Sequence, residues 1–348
     1  MNLHLLVPAL FWPDTALPEI YRDLSLPGLE SLLAKCSVTE EKSEGIEAWL
    51  CRAFGAAKQQ DWPVAAITLQ ADSRKPREAI KAGNGYWIRA DPVHLRLERN
   101  HILLADSHVF RISFQEAEQF TGLLNRHFDG NQAINFFPLR PDRWYLRLPE
   151  PTLPHTHLLS EVVNRDIQNK LPFGVNNAFW RSLSNEIQML LHEHPLNQLR
   201  EGRGELAINS IWFWGGGTLP ESLASPYTNA WSNDILAVSL ALACNIDHAA
   251  LPADATAWEA SARTGSHLIV LDDLQGKAQY GDAYGWRESI KEMEQRWFDP
   301  LWRMLRRGQF DKIVLNAPGE SSSKSFTATR SDSMKFWRRP KPLFTYGR

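Results

Sequence analysis

The chain of 348 residues is 43% hydrophobic and 22% charged, with a formal net charge of −2. That mixture belongs to a globular protein long enough for two domains, or for one large domain carrying an insertion. It supplies no basic field for nucleic acid or an anionic membrane, and a solvated helix face and a basic tail account for the clusters Arg303, Arg306, Arg307 and Lys335, Arg338, Arg339, Lys341.

Residues 1–14 are apolar only briefly, carry no basic leader and run into Asp14 and Glu19, so no signal peptide is predicted. No apolar run reaches the ~20 residues that cross a bilayer, and a cytoplasmic protein is expected. Residues 3–7 predict a buried strand. Leu29, Leu32, Leu33 and Cys36 then fall at i, i+3, i+4 and i+7, a helix stripe opened by Pro27. With only Cys51 and Cys244 besides, Cys36 predicts neither a disulfide framework nor a thiolate zinc site. Residues 64–69 predict a second strand.

Between 85 and 150 polar and aromatic residues alternate, as in His94-Leu95-Arg96-Leu97, which predicts an antiparallel sheet carrying a helix over 115–127. Pro149, Pro151 and Pro154 mark a boundary. A helix is predicted over 179–194, ended by Pro195, and a strand over 208–214 running into Gly215-Gly216-Gly217. Trp231, Ile235, Val238 and Leu242 predict a further helix stripe; 267–271 and 312–315 predict buried strands. Between them Trp286, Ile290, Met293, Trp297, Leu301 and Met304 repeat over about five turns of helix. The serine-rich patch 321–325 predicts a mobile loop. Most of the fourteen tryptophans are expected to be core anchors. Strands alternating with amphipathic helices predict an α/β fold in which two segments of one core bracket an inserted subdomain.

The candidate chemistry is sparse. Three glycines after an apolar strand allow close backbone approach to a phosphate, yet they form neither a P-loop nor GxGxxG, and a tight turn explains them equally. His192 and His194, two apart on a helix, point to opposite sides and cannot share one ion. His155 and His157 have no nearby carboxylate in sequence. Asp272-Asp273 ends a buried strand, where α/β enzymes place catalytic groups, although carboxylates there also cap helices. No Gly-x-Ser-x-Gly elbow or Cys–His pairing is present, which argues against serine-hydrolase and thiol chemistry.

The stretch 194–217 carries Asn197, Arg200, Gly202, Asn209, Ile211, Trp212, Trp214, Gly215 and Gly217 in an order that resembles archaeal-type cofactor-independent phosphoglycerate mutases. The stretch from Arg89-Ala-Asp91 to Arg96, then Ile112-Ser113-Phe-Gln-Glu116-Ala117, is similar to the opening of that family's inserted subdomain. Leu26-Pro27-Gly28-Leu29 looks like the helix after the first strand of the alkaline-phosphatase-like superfamily, and a bacterial group of RpfE-type regulatory proteins has the same combination. The resemblance implies an alkaline-phosphatase-like core sheet covered by helices on both faces, from 1–84 and 200–348. A smaller α+β subdomain with connecting helices is then inserted over 85–199.

The family holds two divalent cations around a Ser or Thr nucleophile, and measured against it this chain departs at almost every ligand. The Asp-Gly that ends the family's first strand reads Val7-Pro8-Ala9, and the nucleophile segment becomes Thr39-Glu-Glu-Lys-Ser43-Glu. Asp-x-x-Gly-His becomes Asp273-Leu-Gln-Gly276-Lys277, Gly-Asp-His becomes Asn316-Ala317-Pro318, and the final His is matched by Arg330 or Arg338. Only Asp273 is retained as a candidate metal ligand. The substrate-binding Arg corresponds to Arg96, with Glu98 in place of the neighbouring Asn.

The expectation is therefore a degenerate phosphoglycerate-mutase-like protein without cofactor, regulatory or anion-binding. Its degenerate catalytic positions are Ser43, Asp273 and Lys277. Its ligand-binding candidates are Arg96, Asn209, Trp214, Gly215, Gly216, Gly217, Lys277 and Arg338, with Lys277 and a late arginine substituting fixed cations for metals. A phosphorylated or anionic ligand and a protein partner are the expected partners, with no nucleic acid and no membrane. One alternative is an active manganese- or zinc-dependent mutase or phosphatase rebuilt from Asp272, Asp273, Asp282 and His267. Another is a structural interaction module.

Overall fold

The computed structural model describes residues 1–14, 17–73, 83, 85–130, 134–148, 154–174, 177–319 and 322–347. They form two compact units, Met1–Leu50 with Ser225–Arg348, and Cys51–Ala224. The seams between these units lie at 50/51 and 224/225, so the helix Val64–Asp72 and the strand Ser210–Gly217 both belong to the second unit.

In the first unit a seven-stranded sheet runs in the order Asp247–Ala249, Asn229–Trp231, Ser266–Val270, Asn2–Leu6, Lys312–Ala317, Ser322–Thr329, Ser37–Lys42. The first five are parallel; Ser322–Thr329 is antiparallel to Lys312–Ala317, and Ser37–Lys42 antiparallel to it in turn. Leu3, Leu5, Val7, Ile269, Ile313 and Leu315 enter one core beneath the helices, while Leu6, Leu268 and Val270 are buried on the opposite face. Covering on both faces is why these strands read as unbroken apolar runs.

Pro27 opens the helix Pro27–Lys35, which buries Leu29, Leu32 and Leu33. The predicted long helix is divided: Ala283–Met293 passes through a π-helical turn, Glu294–Phe298, into Asp299–Arg307 and ends at Gly308 in the left-handed region. The turn aims the Glu294 carboxylate at the amides of Gly28 and Leu29, 2.6 and 3.0 Å away. It thereby caps the Pro27–Lys35 helix, whose own N-cap residue, Leu26, offers no acceptor. Gly28 permits the approach, since a Cβ there would lie 2.4 Å from the Asp299 Cα.

Three further expectations are corrected. Residues 64–69 are helical, within Val64–Asp72. Trp231 lies in the strand Asn229–Trp231, and the helix starts only at Ile235, after Asp234 accepts from the Ala237 amide at 2.8 Å. Ser322, Ser323 and Ser325 belong to the strand Ser322–Thr329, not to a loop; Ser321 lies outside the described residues, as do Pro149 and Pro151.

In the second unit the long strand Tyr86–Glu98 pairs antiparallel with His101–Ala105, Arg143–Leu148 and Ser210–Gly217, and Phe136–Arg140 extends the sheet beyond Arg143–Leu148. The helices Phe114–His127 and Asn177–His192 cover one face, through Phe120, Leu124, Trp180, Leu183 and Ile187. On the other face Ala65 and Leu69 of Val64–Asp72 rest on Trp87 and Tyr145. Among the described residues no helix is long and apolar enough to cross a membrane.

Candidate functional site

The carboxyl ends of the five parallel strands converge on one edge of the first unit's sheet, the position at which open α/β sheets bind ligands. Here stand Asp234, Leu271-Asp272-Asp273, Val7-Pro8-Ala9 and Asn316-Ala317-Pro318. Adjacent strands hold the backbone of this edge. The Leu271 amide donates to Leu6 O at 2.9 Å and the Val7 amide to Asn316 O at 2.8 Å. Ala9 has a left-handed φ of 54°, and its carbonyl accepts from Trp286 Nε1 at 2.9 Å.

Few side chains here are left for chemistry. Asn316 is buried, donating to Leu5 O at 3.3 Å and accepting from Ser325 Oγ at 3.1 Å. Asp234, which the sequence reading did not single out, is engaged as a helix cap; its only signal was its place before an apolar helix. Asp273 is exposed at the start of the helix Asp273–Gln279, and Lys277 lies one turn on, its Nζ donating to Ser289 Oγ at 2.5 Å and to the Asp273 carbonyl at 3.3 Å. Ser43 follows the last strand at the same edge and donates to Gly319 O at 2.8 Å. Four strand spacings, roughly 19 Å, separate the strand before Asp273 from the strand before Ser43. The fold brings Asp273 and Lys277 together and leaves Ser43 apart.

The residues named for a rebuilt site are also engaged. His267 is fully buried, its Nδ1 accepting from Trp231 Nε1 at 3.1 Å while Nε2 donates to Arg263 O at 2.7 Å, and burial pushes its pKa down. Both ring nitrogens are thus used by a neutral imidazole. Asp282 caps the helix Ala283–Met293 through the Gly285 amide at 2.8 Å. Arg338 donates to Cys36 O at 3.0 Å and Lys35 O at 3.3 Å. Among the described residues no three His, Cys, Asp or Glu side chains converge as a metal-binding group.

The remaining candidates belong to the second unit, where the geometry ties backbone together. Asn209 clamps Leu95, accepting from its amide at 2.7 Å and donating to its carbonyl at 2.8 Å. Arg96 is exposed and paired with Glu98 at 3.0 Å. Trp214 Nε1 donates to Asp91 Oδ2 at 2.7 Å, Arg89 grips the same carboxylate with two hydrogen bonds, and the guanidinium lies over the Tyr145 and Trp214 rings. Asn197 bonds the carbonyls of Leu191 and Ile208 and the Ile208 amide. Arg200, fully buried, bonds Leu206 O, Arg111 O and Glu116, and Glu116 completes a capping box with Ser113.

The glycine triplet lies within the strand Ser210–Gly217 rather than in a loop. A Cβ at Gly215 would lie 2.9 Å from Val64 Cβ, at Gly216 2.4 Å from Tyr86 Oη, and at Gly217 2.6 Å from Pro63 Cβ. Gly215 and Gly217 are the flat seat for the start of the Val64–Asp72 helix, while Gly216 makes room for the Tyr86 ring. His194 serves as a helix cap, its Nδ1 accepting from the Leu196 amide at 3.1 Å, and His157 pairs with Glu161 at 3.5 Å. A cleft of about 530 Å³ opens beside His194 between Leu123, Arg126, Leu190, Glu193 and Leu199; none of the predicted site residues line it.

The sequence matches no family model. Over 158 residues it is 29% identical to the 2,3-bisphosphoglycerate-independent phosphoglycerate mutase of Methanosarcina barkeri; the match takes in 42% of this chain and 38% of that enzyme. The fold is similar to that of the PH0037 protein from Pyrococcus horikoshii, with a TM-score of 0.51 and 14% identity over 94% of this chain and 87% of that one. The cofactor-independent phosphoglycerate mutase of Thermoplasma acidophilum gives a TM-score of 0.44 and 12% identity, over 94% and 89%. This chain is a distant relative of phosphoglycerate-mutase-like proteins.

Proposed function

We propose that this chain is a non-catalytic relative of the phosphoglycerate mutases with a regulatory role, its phosphoryl-transfer site having been replaced by structural contacts. One observation carries the reading. At the sheet edge where the resemblance puts hard-oxygen and imidazole ligands stand Val7-Pro8-Ala9, Lys277 and Asn316-Ala317-Pro318, and of those positions only Asp273 keeps a carboxylate. Two divalent cations need several oxygen or imidazole ligands each, and a fixed ammonium one turn from the Asp273 carboxylate opposes them. The distance between Ser43 and Asp273 along the sheet favours the same reading, because a nucleophile must share its site with the metals that activate it. The regulatory role rests on the likeness to the RpfE-type group.

The test is a coupled phosphoglycerate mutase assay and a phosphomonoesterase assay, each with manganese and with zinc. The reading predicts no turnover above the protein-free rate. Metal-dependent turnover lost in Asp273→Ala would contradict it and restore the active, rebuilt-site alternative.

The anion-binding form of the proposal depends on Lys277, which stands at the strand ends with one hydrogen bond to a side chain. Titration calorimetry with phosphate, phosphoglycerate and nucleotides at millimolar concentration is expected to show binding that Lys277→Ala abolishes. No heat with any of them would remove this form and leave the regulatory reading in place.

A further inference from the structure

We infer that the free edge of the larger sheet is a self-complementary surface through which two copies of this chain join. The strand Ser37–Lys42 is the last of its sheet, paired with Ser322–Thr329 on one side and, among the described residues, with no strand on the other. All six of its residues are exposed, with Val38 at 52%. A strand so placed presents a row of outward amides and carbonyls that another strand can pair with.

A second feature is anchored where this edge begins. Lys35 Nζ donates to Lys335 O at 2.7 Å and also to Arg338 O, while Arg338 reaches back to Cys36 O. Asp332 secures the same segment from within, accepting from the Thr329 amide at 2.8 Å and pairing with Lys335. The anchoring holds Met334, Phe336 and Trp337 beside the start of the strand at 71%, 86% and 65% exposure, the two rings edge to face at 5.3 Å. Of the fourteen tryptophans, Trp337 alone is exposed. Large apolar side chains held outward in a fixed arrangement mark a surface that is covered in use.

Charge selects the occupant. Arg339 and Lys341, both exposed, follow the aromatic residues in the chain; Glu40, Glu41 and Lys42 form the strand's second half, and Glu44 follows it. A twofold axis between Thr39 and Glu40 would pair Ser37 with Lys42, Val38 with Glu41 and Thr39 with Glu40 of the other copy. The half carrying Glu40 and Glu41, net acidic even with Lys42, then lies beside the start of the other copy's strand, where Arg338 is held on Cys36 O, and no two residues of like charge are paired directly. Charges such as Glu40 and Glu41 also protect edges against indiscriminate pairing. Protection alone gives no reason to hold Phe336 and Trp337 outward beside them. An anionic bilayer would meet the same three glutamates and a chain of net charge −2.

The test is sedimentation velocity and light scattering on the full chain up to roughly 100 µM, a range that reveals modest self-association. The expected species has twice the 39.7 kDa mass of one chain. Glu40→Lys with Glu41→Lys should weaken the dimer at least about tenfold, and Arg339→Glu with Lys341→Glu likewise. Mixing the two variants should restore it, a result that misfolding of either cannot give. Phe336→Ser with Trp337→Ser should leave a folded monomer. A wild type that stays monomeric throughout, a dimer indifferent to the charge reversals, or binding of the monomer to phosphatidylserine vesicles through Phe336 and Trp337 would each overturn the proposal.

Discussion

Asp72 shows how single residues of this chain carry the second unit. Its carboxylate accepts from Arg140 Nε at 3.0 Å, from Arg143 Nε and Nη2 at 2.9 Å each, and from the Tyr145 hydroxyl at 2.7 Å. Burial alone would push this carboxyl up; the hydrogen bonds and charge of Arg143, with the Tyr145 hydroxyl, outweigh burial and hold it below its ordinary range. A carboxyl whose pKa is depressed by folding adds stability at pH above its unfolded value near ~4, and that stability is lost as pH falls through the folded value. Asp72→Asn is therefore expected to lower stability by about 3 kcal/mol at pH 7, because it leaves two partly buried guanidinium groups without their anion. Chemical denaturation at pH 7 and pH 3 checks this: the gap between wild type and variant should narrow in acid, and a gap that is constant with pH would show that lost packing, not lost charge, is responsible.

At the scale of elements, what sequence conveyed and what it hid follow one rule. Periodicity was decisive where an element is covered on one face. The helices Phe114–His127 and Asn177–His192 lie close to their predicted spans because apolar residues recur on one side only, and in the structure Ser113 and Glu116 close a capping box at the start of the first. It failed for Val64–Asp72, where Val64 to Leu69 are all buried and a short, uniformly apolar run fits strand or helix equally. The information that settles it lies far along the chain, in the glycines of Ser210–Gly217 that give a helix room to lie flat. Gly217→Ala would press a methyl group into Pro63 and is expected to cost about 2 kcal/mol, as overpacking of a closed site does. Urea unfolding would show the loss, and phosphate affinity measured on the same protein should not change. An unchanged midpoint with weakened phosphate binding would instead favour a ligand role for the triplet.

Across the whole molecule the α/β class was legible, since strand and helix patterns alternate in chain order. Which sheet the strand Ser210–Gly217 joins was not, because its apolar pattern suits either. The candidate site rests chiefly on departures from the resembled family. Val7-Pro8-Ala9, Lys277 and Asn316-Ala317-Pro318 could be read as missing ligands only against the family pattern, and the structure adds where Asn316, His267, Asp282 and Arg338 have spent their hydrogen bonds. Arg200 and Asn197 illustrate the opposite limit. Their spacing carried the resemblance, yet the bonds that occupy them run to backbone groups brought near only by folding.

The central claim, that the carboxyl edge of the larger sheet no longer holds a two-metal site, is tested most directly by counting metal. The purified chain would be incubated with manganese and with zinc, desalted, and analysed for bound metal per chain. The account predicts far less than one ion per chain, unchanged in Asp273→Ala. Two tightly bound ions per chain, lost in that variant, would contradict it.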